Sequence, residues 1–110
     1  MLARDHGLRG IVAIEPHGRV IGLANLRLFA RPSVGTLGFY LDDLFTASSA
    51  RGRGAGSALL VRAAQIASEE GANVVRWVTA ADNARARRVY DKHAGATEWV
   101  TYDMPPAAVV

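Results

Sequence analysis

The sequence contains no cysteine, a single lysine, and few aromatic residues, 7% of its 110. Without thiols there are no disulfides and no thiolate metal sites, so the fold must rest on a hydrophobic core, which a chain of this length can build. No stretch approaches the roughly 18 to 20 apolar residues of a membrane span, and the opening MLARDHGLRG lacks the apolar centre of a secretory signal. A cytoplasmic protein with no membrane partner is expected. The charge surplus is also small, +3 at neutral pH, with no basic tail and no interleaving of basic and aromatic residues on a strand. A nucleic-acid partner is therefore not expected. His6, His17 and His93 lack ligand spacing with one another, so no metal site is expected.

Half of the residues are hydrophobic, as in an ordinary globular domain, and arginine supplies all the basic residues except Lys92. That choice favours bidentate contacts with phosphate or carboxylate. The pattern predicts a strand over Gly10 to Glu15, a break at Pro16, His17 and Gly18, and a second strand over Arg19 to Phe29. A third strand spans Leu37 to Thr46, with Leu37, Phe39 and Leu41 on one face and the adjacent acids Asp42 and Asp43 interrupting it. Ser57 to Glu70 reads as a helix with Leu59, Ala63, Ile66 and Ala67 on its buried face, ended by Gly71. Asn73 to Thr79 reads as a strand, Asn83 to His93 as a helix capped by Asn83, and Thr97 to Met104 as a final strand. The expectation is one domain over 1–110, frayed at 1–9 and 105–110, of α+β class with a mixed, mostly antiparallel sheet flanked by helices.

The strongest local signal is Arg51-Gly52-Arg53-Gly54-Ala55-Gly56 between a strand and a helix. Glycines admit a ligand close to the backbone, free N–H groups and the helix dipole favour an anion, and the arginines add charge. A Walker A loop would need lysine after Gly56, where Ser57 stands, and a G-x-G-x-x-G dinucleotide fingerprint starting at Gly52 would need glycine at 57. Both are excluded.

The pattern R-x-x-G-x-G/A, met by Arg51, Gly54 and Gly56, resembles the diphosphate loop of the GCN5-related N-acetyltransferases. The resemblance extends to the strand Leu41-Asp42-Asp43-Leu44-Phe45-Thr46, to Asn83 with Tyr90 seven residues on, and to Gly95-Ala96, covering about residues 10 to 104. It implies an N-terminally shortened acyl-CoA N-acyltransferase fold, with acetyl-CoA as co-substrate and no metal. The strand and loop look most similar to the small-amine branch that includes spermidine/spermine and thialysine acetyltransferases. The resemblance places the cofactor against Leu44, Phe45 and Thr46, the loop Arg51, Gly52, Arg53, Gly54, Ala55, Gly56 and Ser57, and Asn83 with Ala86. Four residues, Asp91 to Ala94, separate Tyr90 from Gly95, where the commonest family spacing has three.

Acetyl transfer to an alkylamine first needs the amine neutral, which costs roughly 4 to 5 kcal/mol at pH 7 for a group of pKa near 10.4. A carboxylate that accepts the proton and attracts the cation lowers this barrier, and the resemblance favours Asp42 as catalyst, with Asp42 and Asp43 contacting the substrate. On alternating strand geometry only one acid faces the cleft unless a bulge intervenes, as the resemblance implies. Tyr90 corresponds to the family's general acid, a phenol that can protonate the departing thiolate. The residues alone also allow Asp42 and Asp43 to be solvated or paired with an arginine, and composition alone favours packing with Ala86 and Val89 for Tyr90, while Tyr102 is read as structural. The expected activity is acetylation of a small primary amine by direct attack, in a homodimer. The alternatives are a non-catalytic CoA-binding module, a truncated acetyltransferase, and acetylation of a protein lysine or N-terminus.

Overall fold

A computed structural model describes residues 7–109. The chain runs β1 (Leu8–Ile14), β2 (Val20–Arg31), β3 (Thr36–Thr46), α1 (Ala55–Glu69), β4 (Ala72–Arg76) and α2 (Ala84–Tyr90), with 3-10 turns at Pro32–Val34 and Ser48–Ala50. The four strands form one sheet in the order β1-β2-β3-β4, antiparallel except for the parallel β3/β4 pair. This is the mixed α+β sheet with two helices expected from the pattern.

Period-two alternation decides which sheet face is covered. Ala24 and Leu26 of β2 and Phe39 and Leu41 of β3 are buried beneath α1, which supplies Leu59, Leu60, Ala63, Ile66 and Ala67. Phe39 and Leu26 are essentially inaccessible, and burying such side chains stabilises by about 1.5–3 kcal/mol each. Gly22 lets α1 come close, because a Cβ there would lie 3.1 Å from Leu59 Cδ1 and 3.0 Å from the Phe45 carbonyl oxygen. Trp77, Val89 and Tyr90 pack against the edge of this core, so α2 is held by its apolar side.

Two expectations need correction. The segment Thr97 to Met104 forms no strand: it has no regular structure, and Trp99 and Tyr102 are 88% and 90% exposed. Alternation gives a segment the capacity to pair, but a strand exists only with a ladder partner, and among the described residues β4 is the edge strand of the sheet. At the other end, β1 already begins at Leu8, so fraying over 1–9 does not hold for residues 8 and 9. Residues 1–6, including His6, lie outside the described residues, as does Val110, while 105–109 are irregular and exposed.

Arg9 of β1 and Glu70 after α1 form a two-point ion pair, with Nε donating to Oε2 at 2.9 Å and Nη2 to Oε1 at 2.6 Å. The hydrogen bonds from Arg9 hold the Glu70 carboxyl below its ordinary range. A lowered folded-state pKa contributes stability that is complete above the unfolded value and is lost as pH falls through the folded one. The pair is a third exposed, so its contribution is under about 1 kcal/mol. Glu70→Gln should lower Tm slightly at neutral pH, and its melting curve should converge with that of the parent as the pH drops below the ordinary glutamate range.

Candidate active site

The β3 strand carries the chemistry. Its pairing with β2 shifts between Asn25/Leu26: Asn25 opposes Asp43 and Leu26 opposes Leu41, which leaves Asp42 as the extra, unpaired residue of a bulge. A bulge defeats strict alternation. Asp42 accepts from Arg27 Nε at 3.1 and 2.9 Å, and Asp43 Oδ2 accepts from Asn25 Nδ2 at 3.1 Å. Asn25 and Arg27 are two residues apart on β2 and share one face, so both adjacent acids lie on the sheet face opposite α1. Arg27 also stacks 4.6 Å from the centre of the Tyr40 ring. The ion-paired state that the residues allowed for Asp42 is thus the one observed.

Beyond this point β3 loses its second neighbour. The β3/β4 ladder runs only from Leu37↔Ala72 to Tyr40↔Arg76, and β4 stops at Arg76 while β3 continues to Thr46. Among the described residues, β3 over Leu41–Thr46 is paired to β2 alone, so the backbone groups of its other edge have no ladder partner there. Leu44, Phe45 and Thr46, assigned to the cofactor by resemblance, lie along this edge.

The glycine loop lies at the end of the same strand. Gly52 and Gly54 adopt φ values of +79° and +85°, left-handed backbone that a side chain would strain, and Gly54 caps α1. No side chain bonds to the cap and the first turn holds no acid, so the N–H groups of Ala55, Gly56 and Ser57 at α1 positions N1 to N3 lack intrahelical partners. These donors fit a diphosphate, and the free β3 edge fits an amide-bearing chain such as pantetheine. Arg51 is exposed beside them, whereas Arg53 places Nη2 3.3 Å from Glu15 Oε2.

Asn83 caps α2 as the pattern predicted: its side chain accepts from Ala86 N at 3.4 Å, and its Nδ2 reaches Thr79 Oγ1 at 3.3 Å. Ala86 is half-buried on the same turn. The Tyr90 ring is half-buried, edge-on to Trp77 with centroids 5.3 Å apart. Tyr90 therefore packs on the α1 side of the sheet, while Asp42 and Asp43 occupy the other. Arg87 donates to the Ala81 carbonyl at 2.6 Å, and Arg85 and Arg88 are exposed.

Two residues escaped the sequence reading. His93, past the end of α2, sets Nε2 3.0 Å from Ser57 Oγ and so ties that turn to the first turn of α1. Glu15, at the β1–β2 turn, is buried against the glycine loop. Neither carries a sequence signal, because each contact joins segments more than 30 residues apart. A cavity of about 610 Å³ lies elsewhere, between α1 and β4, lined by apolar residues such as Leu60, Ala64 and Val75, and includes none of the acids.

Comparison with known proteins decides the family. The profile described as Acetyltransferase (GNAT) family matches residues 1–96. The chain belongs to the GNAT acetyltransferase family. Comparison with curated protein sequences gives no match. Among solved structures, the GNAT chain is similar to an integron cassette protein from the mobile metagenome of V. cholerae, at 28% identity and a TM-score of 0.80, covering 92% of this chain and 62% of that one. It spans less than two thirds of that relative. An aminoglycoside acetyltransferase from an uncultured soil metagenomic sample gives 24% identity and a TM-score of 0.81 over 96% of this chain and 70% of that one. A ribosomal-protein-alanine N-acetyltransferase from Brucella melitensis biovar Abortus 2308 gives 21% and 0.80 over 94% and 75%. GNAT acetyltransferases use acetyl-CoA as co-substrate, and the described residues contain no cluster of potential metal ligands. No helix among the described residues is long and apolar enough to cross a membrane.

Proposed function

We propose that this GNAT chain transfers the acetyl group of acetyl-CoA to a primary amine of a small cationic molecule. The reading is carried by one arrangement: the gap where β4 leaves β3, flanked by two acids on one side and by the glycine-capped start of α1 at its end. When bound, acetyl-CoA supplies the activated acetyl thioester. Backbone groups of Leu44, Phe45 and Thr46 hold the pantetheine arm, and the loop from Arg51 to Ser57 holds the diphosphate.

The bulge gives the amine two carboxylates on one face rather than one, and this concentrates a cation at the gap. Asp42 takes the amine's proton after the ammonium displaces Arg27, while Asp43, whose Oδ2 is held by Asn25, orients the incoming group. The neutral nitrogen bonds to the acetyl carbon, the carbon–sulfur bond breaks as the Tyr90 hydroxyl gives its proton to sulfur, and the surplus proton on nitrogen passes through solvent to the Tyr90 phenolate, leaving a neutral amide.

The small-amine reading is favoured over a protein acceptor because two exposed carboxylates suit a compact cation. Thiol release measured across diamines, polyamines, aminoglycosides and alanine-terminated peptides tests it. Turnover is expected with the polycationic small amines and should fall by about 10²-fold or more in Asp42→Asn. Turnover with the peptides alone would reassign the acceptor class.

A further inference from the structure

Glu15 is the one buried charged residue among those described, and the mechanism above leaves it without a role. Its backbone closes the β1–β2 turn, with Glu15 N donating to Arg19 O and Gly18 N donating to Glu15 O, both at 2.8 Å. Those two bonds need no particular side chain. The side chain is nevertheless 6% exposed and sits between the turn and the glycine loop. Arg53 Nη2 lies 3.3 Å from Oε2 and His17 Nε2 lies 3.6 Å from it, while Arg19 Nε lies 3.1 Å from Oε1 without the alignment of a hydrogen bond. Arg19 in turn donates from Nη2 to Ser49 Oγ at 2.7 Å. One carboxylate therefore grips the segment before α1 at two points, directly at Arg53 and through Arg19 at Ser49.

A carboxylate this deep is costly unless cations compensate it, and here the compensating cations belong to the turn and the loop themselves. Of the five N–H donors on the Arg53 guanidinium, Glu15 engages one edge, which leaves others available to an anion. We propose that Glu15 is a positioning residue for the cofactor's diphosphate, acting through Arg53 and the loop it fixes. The inference rests on the reading of residues 51–57 as the diphosphate site. Two effects oppose each other. A negative charge near an anion site weakens binding, but two guanidinium groups already offset the charge of Glu15. Ordering a long arginine and a glycine-rich loop before the ligand arrives strengthens binding, because that entropy is not lost on association. The second effect prevails.

The test compares Glu15→Gln with the parent, using acetyl-CoA and acetyl-pantetheine, which carries the thioester without the diphosphate. The expected result is a rise in KM for acetyl-CoA of about five- to tenfold, the loss expected when one or two side chains must be ordered on binding. The kcat should stay within about twofold and the KM for acetyl-pantetheine should be unchanged. In an Arg53→Gln background, Glu15→Gln should raise it by less than in the parent, leaving only the part that runs through Arg19 and Ser49. Should Glu15→Gln fail to fold, Arg19→Gln, whose side chain is more than half exposed, carries the same donor-specific expectation. An equal change for both donors, or a lower KM for acetyl-CoA, overturns the proposal. Calorimetry of the parent with CoA separates the two levels: absence of binding there overturns the diphosphate reading and this inference together, whereas normal parental binding with an unaffected Glu15→Gln overturns this inference alone.

Discussion

Replacing Tyr90 by phenylalanine should lower kcat by about 10²- to 10⁴-fold, the range for loss of a positioned general acid, and leave the affinity for CoA within about twofold. The exchange is selective because the ring stays. Its edge-on contact with Trp77 at 5.3 Å and its packing on the core do not involve the hydroxyl, so Tm should hardly move. Steady-state thiol release and thermal melting together check this. An unchanged kcat would reduce Tyr90 to a packing residue, the other role that its place on the apolar side of α2 allows. Loss of kcat with loss of CoA binding would mean that the hydroxyl serves the cofactor's grip rather than the departing sulfur.

The second large effect concerns stability. Phe39 lies at the centre of the sheet beneath α1 with no exposed surface, and Phe39→Ala should cost about 3–5 kcal/mol through lost burial and the cavity left behind. That is a large share of the about 5–15 kcal/mol that holds a domain of this kind folded. A fall in Tm of about 15 °C or more should follow, measured by thermal and urea unfolding. Phe45 provides the contrast. It is six residues along the same strand, 58% exposed on the other face, and its replacement by alanine should change stability by only about 0.5 kcal/mol.

The opposite fates of Phe39 and Phe45 show what the sequence could and could not reveal. Alternation along Leu37 to Thr46 correctly put Phe39 and Leu41 inward, and helical spacing correctly put Leu59, Ala63, Ile66 and Ala67 inward, because both signals are local. Leu37, read on the same face, is exposed near the start of its strand. The glycine loop was legible for the same local reason, since its backbone demands are written in consecutive residues. What depends on register was not legible from the residues. The ion pair of Asp42 with Arg27 requires knowing that β2 and β3 slip by one residue between Asn25 and Leu26. Glu15 meeting Arg53, and His93 meeting Ser57, require the three-dimensional placement of turns. Thr97 to Met104 failed in the reverse direction: its pattern suits a strand, but a pattern does not supply the neighbour that a strand needs.

With the two acids on one sheet face and Tyr90 on the other, the proposed mechanism requires the place where β4 leaves β3 to serve both, next to the start of α1. The account therefore depends on a diphosphate binding where Gly54 caps that helix. Calorimetric titration of the protein with CoA and with pantetheine tests this most directly. The account predicts that CoA binds at one site per chain and at least about tenfold more tightly than pantetheine, a difference of about 1.4 kcal/mol supplied by the diphosphate-bearing nucleotide half of CoA. Equal affinity for the two, or no heat with CoA, would contradict it.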